Sequence, residues 1–259
     1  MSSTARLTVL LSVMNEDMHI IDRVGIRSPG IVINQTDTNK YVNIPRKTGN
    51  IDFYSFAEKG VGLSRNNALM RCSSEFGLFV DDDEILSHDY VERVVSAFDS
   101  LPEADVIVFN IGSDSEDRKP YQNTKIKRVR LYNCLRYGGC RIAVKTDSIH
   151  RKNIYFSLLF GGGAKYSNGE DTIFLTDCLK QGLKIYAHPY FVGSVNFDSS
   201  TWFKGHNVKF FNDRGVLIKT IFGRLSWIVC IYIAARLHKR YKKEVSFIRA
   251  LSLMLRSKP

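Results

Sequence analysis

Short, nearly continuous apolar runs recur along the first half of the chain, each about as long as a strand. Leu7–Val13 is the first, and Ile31-Val32-Ile33 is the second, ending in the polar stretch Asn34-Gln35-Thr36-Asp37. Phe76–Val80 is the third and Val106–Phe109 the fourth. Runs without polar alternation are expected of strands buried on both faces of a parallel sheet. Between the third and fourth, Val91, Val94, Val95 and Phe98 recur at helical spacing and predict an amphipathic helix over residues 88–100. Strands alternating with helices predict a doubly wound, mostly parallel α/β sheet. Residues 112–168 are looser, with Gly138-Gly139 and Gly161-Gly162-Gly163 marking turns. Phe174, Leu175, Cys178 and Leu179 then predict a second helix from about 170 to 181, stopped by Gly182, before a last short strand at Lys184–Ala187.

The pattern changes again near the end. Leu225–Ala235 carries no formal charge between Arg224 and Arg236, and at about 1.5 Å per residue it spans roughly half a bilayer core. Val245, Ile248, Leu251 and Leu255 follow on one helical face. Charge sharpens this reading. The formal net charge is +11, yet residues 214–259 hold eleven Lys or Arg against the single acid Glu244, leaving the rest close to neutral. A nucleic-acid-binding protein usually spreads its basic patch over the folded domain, so nucleic acid is not the expected partner. Basic residues beside apolar helices suit an anionic membrane surface. The expected organisation is an α/β body over 1–213, changing character at 111/112 where the looser stretch begins, followed by a basic amphipathic helical tail over 214–259. Leu7–Val13 lacks the flanks of a secretory signal, and the five cysteines have no paired or metal-type spacing, so a reducing cytoplasm is expected.

Two acidic motifs carry the candidate chemistry. The third strand delivers Asp81, Asp82, Asp83 and Glu84 to its carboxyl end, where open α/β sheets bind ligands. Clustered carboxylates repel one another, which a divalent cation such as Mg²⁺ or Mn²⁺ would relieve while substrate phosphates complete its shell. The competing reading is an acidic loop favourable to the dipole of the following helix. Gly169-Glu170-Asp171 opens the later helix, and here too acids suit the first turn. The functional reading is a general base that takes a proton from an acceptor hydroxyl.

In order, Ser12-Val13-Met14-Asn15, Asn34-Gln35-Thr36-Asp37, Gly62-Leu63-Ser64-Arg65-Asn66, Asp81-Asp82-Asp83 and Gly169-Glu170-Asp171 resemble the motifs of the inverting family-2 glycosyltransferases with the GT-A fold, bacterial cell-surface polysaccharide enzymes among them. The resemblance runs from about residue 7 to 205 and implies a catalytic domain over 1–213, with a nucleotide-sugar-binding half over 1–111 and an acceptor-side half over 112–213. It implies a Rossmann-like nucleotide-binding sheet and a nucleotide-sugar donor, with a UDP-sugar favoured. Val13, Asn15, Asn34, Gln35, Asp37, Arg65, Asp81 and Asp82 would line the donor, with Asp37 on the base and Asp81 near the ribose. Asp83, with Asp81, would hold Mn²⁺ or Mg²⁺. Asp171 would be the catalytic base, with Glu170 positioned beside it.

The resemblance further implies a saccharide or lipid-linked saccharide acceptor and a peripheral position on the inner face of a bacterial cytoplasmic membrane. One departure stands out: many members carry a His after the Glu-Asp helix, where this chain has Asn196, leaving Asn196, Asp198 or His206 to complete the metal site. His188 comes earlier in the chain. Trp202 and Phe203 read either as core or as a sugar platform. The rival readings are a metal-dependent nucleotidyltransferase or sugar-nucleotide hydrolase, which has no use for the Glu-Asp helix, and a nucleic-acid-binding protein.

Overall fold

The computed structural model describes residues 3–113, 120–138, 141–196 and 205–258. Its frame is one mixed sheet of ten strands among the described residues. These are β1 (Leu7–Met14), β2 (Gly30–Gln35), β3 (Lys40–Ile44), β4 (Ile51–Phe56), β5 (Phe76–Asp81), β6 (Glu84–Leu86), β7 (Val106–Ser113), β8 (Lys127–Val129), β9 (Ile142–Lys145) and β10 (Ile185–Val195). The order is β3-β4-β2-β1-β5-β9-β7-β10-β6, with β8 also on β10. β4, β2, β1 and β5 run parallel, as do β7 and β10, while β9 is inserted antiparallel between β5 and β7. The expected mostly parallel GT-A-like sheet is therefore present.

The apolar runs become the central strands because both faces are covered. Leu7, Val9, Leu11 and Val13 point into one core with Tyr90, Val91, Val94 and Phe98 of α4 (Tyr90–Ser100). Leu10, Ile31, Ile33 and Phe79 point into the other, beside α3 (Val61–Arg71) and α6 (Glu170–Lys180). Short helices α1 (Ser3–Arg6), α2 (Ile20–Val24) and α5 (Thr146–Arg151) complete the two layers. Most strands that the run pattern does not predict lack a run; β9 is the exception, with Ile142, Ala143 and Val144 all buried. β3 lies at the edge with a mostly exposed, polar face, and β4 alternates buried and half-buried residues. The last expected strand is longer than Lys184–Ala187, because two register irregularities around Phe191 carry β10 past Pro189 to Val195.

Three helices close the described chain: α7 (Val208–Phe222), α8 (Ser226–Tyr241) and α9 (Phe247–Arg256), with a 3₁₀ turn at Gly223–Leu225. They share a core of Phe211, Ile218, Cys230, Ala234, Tyr241, Ala250 and Met254. The boundary expected at 213/214 falls inside α7, whose inner residues belong to the catalytic body. Val216, Leu217 and Ile221 pack with Phe160, Tyr166 and Ile173, and the Asp213 carboxylate accepts from Ser167 N–H at 3.0 Å and its hydroxyl at 2.8 Å. Basic composition marks where the charge changes, whereas buried apolar contacts decide where the domain ends.

Candidate active site

Every residue of Gly62-Leu63-Ser64-Arg65-Asn66 except Leu63 has a visible structural task at the start of α3. Gly62 lets residues 156–157 cross over the helix: a Cβ there would lie 2.4 Å from the Ser157 carbonyl oxygen. The Ser64 hydroxyl donates to Ile33 O at 3.3 Å, tying α3 to β2. The Asn66 amide satisfies Phe156 on both sides, donating to its carbonyl at 2.9 Å and accepting from its N–H at 2.7 Å. These contacts fix the helix from which Arg65 reaches the carboxyl end of β5.

Arg65 joins the two acidic motifs. Its Nη2 donates to both oxygens of Asp81 at 2.7 Å, and its Nη1 donates to Asp171 Oδ1 at 2.5 Å and to Glu170 Oε1 at 3.2 Å. The side chain is 3% exposed, and the guanidinium carbon lies 5.4 Å from the centroid of the Phe156 ring. Burial alone would lower its pKa, but the charges of Asp171, Asp81 and Glu170 hold it well above the ordinary arginine value. Residues 106 positions apart in sequence thus meet in one buried cluster.

The four acids after β5 divide into different environments. Glu84 is buried and folds back to accept from the Asp81 N–H at 2.9 Å; burial, then the charges of Asp81 and Asp83, push its pKa well above the usual carboxylate range. Asp83 is half-buried, and burial together with the charges of Asp81 and Asp82 raises it to about 6. Asp82 is also raised, chiefly by burial and by Asp81. Glu170 is buried and accepts at 3.0 Å from the N–H of Gly169, whose φ of 122° is one that glycine adopts freely. A Cβ on Gly169 would also lie 2.6 Å from Leu217 of α7, so the tail helix directly backs this turn. The glycine turn is anchored to α3 by a bond of 3.0 Å from Val61 N–H to Gly162 O.

Among the described residues no three His, Cys, Asp or Glu side chains are grouped so as to hold a metal ion by themselves. Asp81 and Asp83 nevertheless supply hard oxygen donors of the type Mg²⁺ and Mn²⁺ use when phosphate and water oxygens complete the shell. Burial, and then the like charges of Asp81 and Asp82, raise Asp83, and these adjacent hard carboxylate oxygens are a donor set that fits such an ion. Asn196 lies beside this loop, its N–H donating to Asp83 O at 3.0 Å. His206 is placed elsewhere, 3.8 Å from Glu244 and edge-on to Phe210 in the C-terminal helices. His188 is buried against Phe109 and Tyr190. Asp198, Trp202 and Phe203 lie outside the described residues.

The expected donor contacts gather at the carboxyl ends of β1 and β2. Asn15 adopts φ 54° and donates its N–H to Gln35 O at 3.0 Å. Val13 has its side chain in the core. Asn34 holds the loop after β1, donating to Glu16 O at 2.6 Å and accepting from Glu16 N–H at 3.1 Å. Gln35 accepts from Gly60 N–H at 2.7 Å. Val13, Asn34 and Gln35 are buried and hold the strand ends in place, while Asp37 is exposed after β2. Sequence reasoning placed Glu84 only among the four acids a cation would neutralise and gave Leu217 no role. The structure makes Glu84 a buried strut and sets Leu217, an apolar position inside the basic tail, behind Gly169.

Residues 31–156 match the model of glycosyl transferase family 2, a span that holds Arg65 and Asp81–Asp83 and stops short of Asp171. A search of curated proteins finds no match to the chain. The fold is similar to that of Staphylococcus aureus TarS residues 1–349 in complex with UDP-GlcNAc, with TM-score 0.67 and 15% identity over 98% of this chain and 82% of that one. The same TarS fragment with UDP gives TM-score 0.63 and 15% identity over 98% and 81% of the two chains. The mannosyltransferase PcManGT from Pyrobaculum calidifontis, in complex with GDP-Man and Mn²⁺, gives 0.53 and 13% identity over 96% and 72%. The family match indicates a glycosyltransferase, and the structural likenesses show a GT-A fold.

Proposed function

We propose that the chain transfers a sugar, with inversion, from a nucleoside-diphosphate sugar to a saccharide or lipid-linked saccharide. The observation that carries this reading is the Arg65 cluster, which brings the strand-end acid Asp81 and the helix-start acids Glu170 and Asp171 into one site. Asp171 takes the proton of the acceptor hydroxyl as its oxygen attacks the anomeric carbon, and the bond to the departing diphosphate breaks on the opposite face. Glu170, held by Gly169 N–H and Arg65, orients that attack. Asp83 and Asp81 would hold Mn²⁺ or Mg²⁺, which supplies Lewis-acid stabilisation of the diphosphate when bound. Asn15, Asp37 and Asp82 border the donor pocket that Val13, Asn34 and Gln35 shape. The UDP and UDP-GlcNAc complexes of TarS support uridine, and the Mn²⁺ of PcManGT supports the ion. The nucleotidyltransferase and hydrolase readings leave the second acidic motif idle.

The decisive experiment is a panel of nucleotide-sugars with Mn²⁺, scored for binding and for sugar transfer or donor hydrolysis. Asp83→Ala should lose metal-dependent donor binding. Asp171→Asn should keep saturable binding while turnover falls by about 10²-fold or more. Normal transfer by Asp171→Asn would show that the base is another group.

Membrane association is the second part of the proposal. Leu225 of the 3₁₀ turn and Trp227, Ile228, Ile231 and Tyr232 of α8 are exposed around one side, with Arg224 before them and Arg236, Lys239 and Arg240 after. An apolar stripe bounded by exposed cations suits an anionic lipid surface. Val208–Tyr241 is long and apolar enough to cross a bilayer by length and composition, but α7 buries its inner side in the body, which supports lying on the membrane. The exposed Leu158 and Leu159, next to the glycine turn, support an acceptor with an apolar portion. A peripheral position on the inner face of a bacterial cytoplasmic membrane, in making a cell-surface polysaccharide, follows from this reading.

A further inference from the structure

We infer that Arg65 couples the two halves of the site, so that binding of a cation and diphosphate at Asp81 and the hold on Asp171 are linked through one shared guanidinium. The inference rests on the proposed reading of Asp81 as donor-side and Asp171 as acceptor-side.

The geometry is that of a bridge. An arginine that serves one carboxylate commonly presents two parallel N–H groups to it and keeps the rest for other acceptors. Here Nη2 serves Asp81 alone, Nη1 serves Asp171 and Glu170, and the buried Nε has no hydrogen-bond partner. A buried donor left unmade is unfavourable, so the arrangement is a compromise among three acids. Ser64 and Asn66 pin α3 to β2 and to Phe156 on either side of Arg65, so the helix stays fixed and only the side chain can shift its hold among the three acids. One positive charge is therefore divided between the acids of two motifs.

A divalent cation drawn to Asp81 repels the guanidinium and weakens its claim on that carboxylate. The charge then falls more fully on Glu170 and Asp171, fixing the acceptor-side pair once the donor is in place. Binding linkage is reciprocal. Removing the Asp171 charge leaves Arg65 held more tightly on Asp81, where it competes with the incoming cation. Arg65 is in this sense a positioning residue for both motifs.

The test is a double-mutant cycle read by calorimetry of UDP binding with Mn²⁺, on the full chain and without turnover. Asp171→Asn is expected to raise the Kd about 3- to 10-fold in the wild-type background. In the Arg65→Lys background, where a point charge cannot span both motifs, the same substitution should change it less than about twofold. Equal fold-changes in both backgrounds would reduce the effect to the field of one carboxylate and overturn the coupling, as would no change in either.

A second measurement does not depend on the folding of Arg65→Lys. The guanidinium ¹⁵N resonances of Arg65 in the wild type should shift on adding UDP with Mg²⁺, and unshifted resonances in a saturated sample would overturn the inference. A wild type that binds no UDP would overturn the donor reading itself, an outcome distinct from binding without coupling.

Discussion

Asp83 and Glu84 are neighbours on the turn from β5 to β6, and they meet burial in opposite ways. Glu84 folds inward, where burial pushes its pKa well above the usual carboxylate range, and caps the Asp81 N–H. Asp83 stays half-buried with its pKa raised to about 6, because Asp81 and Asp82 add like charge to the cost of burial. The sign for stability follows from linkage. The folded state binds this proton more tightly than the unfolded chain, whose Asp titrates near ~3.9. The folded state is therefore not penalised below about pH 4, loses stability as pH rises to about 6, and stays less stable above that. Asp83→Asn should accordingly raise the melting temperature of the metal-free protein at pH 7.5 by about 2–6 °C and leave it unchanged near pH 4. A lower melting temperature at pH 7.5 would show that Asp83 is already neutralised within the protein. The composition of the acidic run was plain in the sequence, but its division into a strut and a candidate ligand was not. Which carboxylate turns inward depends on the β6 pairing with β10, more than a hundred residues away.

At the scale of elements, the strands that bury both faces were legible because burial removes polar residues from them. The edge strand β3 was not, since its identity rests on its partner rather than on its own composition. The inserted β9 was missed because its buried Ile142-Ala143-Val144 is a brief run inside the looser, glycine-marked stretch 112–168. The same contrast holds for the candidate site. The order of its motifs was readable, while the reason for each residue of Gly62–Asn66 needed the crossing of residues 156–157 over α3. That crossing makes a prediction. A Cβ on Gly62 would lie 2.4 Å from the Ser157 carbonyl oxygen, which is backbone and cannot swing aside. Gly62→Ala should therefore destabilise the fold by about 1–3 kcal/mol in urea unfolding, the usual range for overpacking. Because the displaced segment carries Phe156, which packs against Arg65, donor affinity should fall as well. A variant as stable as the wild type would mean that residues 156–157 move freely, and that Arg65 is not held by this crossing.

For the whole molecule, the question is whether the basic C-terminal helices are an appendage or a part of the enzyme. α7 is a part: Leu217 closes against Gly169 at the base of the Glu170-Asp171 turn, and Asp213 accepts from Ser167. Cutting the chain after residue 213 would expose Phe160, Tyr166 and Ile173, so loss of membrane binding by that truncation would say nothing about lipid. The outward side of α8 can be tested without touching this contact. Trp227 and Ile231 are 55% and 41% exposed and lie one helical turn apart, while Cys230 and Ala234 face the core. Trp227→Ser with Ile231→Ser should leave melting temperature and UDP binding close to wild type, as exposed substitutions usually do. The same pair should weaken flotation with vesicles rich in anionic lipid by tenfold or more, since burial of two large side chains in the interface contributes about 1.5–3 kcal/mol each at most. Wild-type binding should also fall as salt rises, because exposed Arg236, Lys239 and Arg240 act through screened charge. Undiminished flotation of the double variant would move the contact off α8, and a salt-independent wild type would remove the anionic surface from the proposal. If both expectations hold, the helix that backs the catalytic turn also leads into the helix that rests on the membrane. The site would then be held at a fixed height above a lipid-linked acceptor, with α7 as the rigid connection.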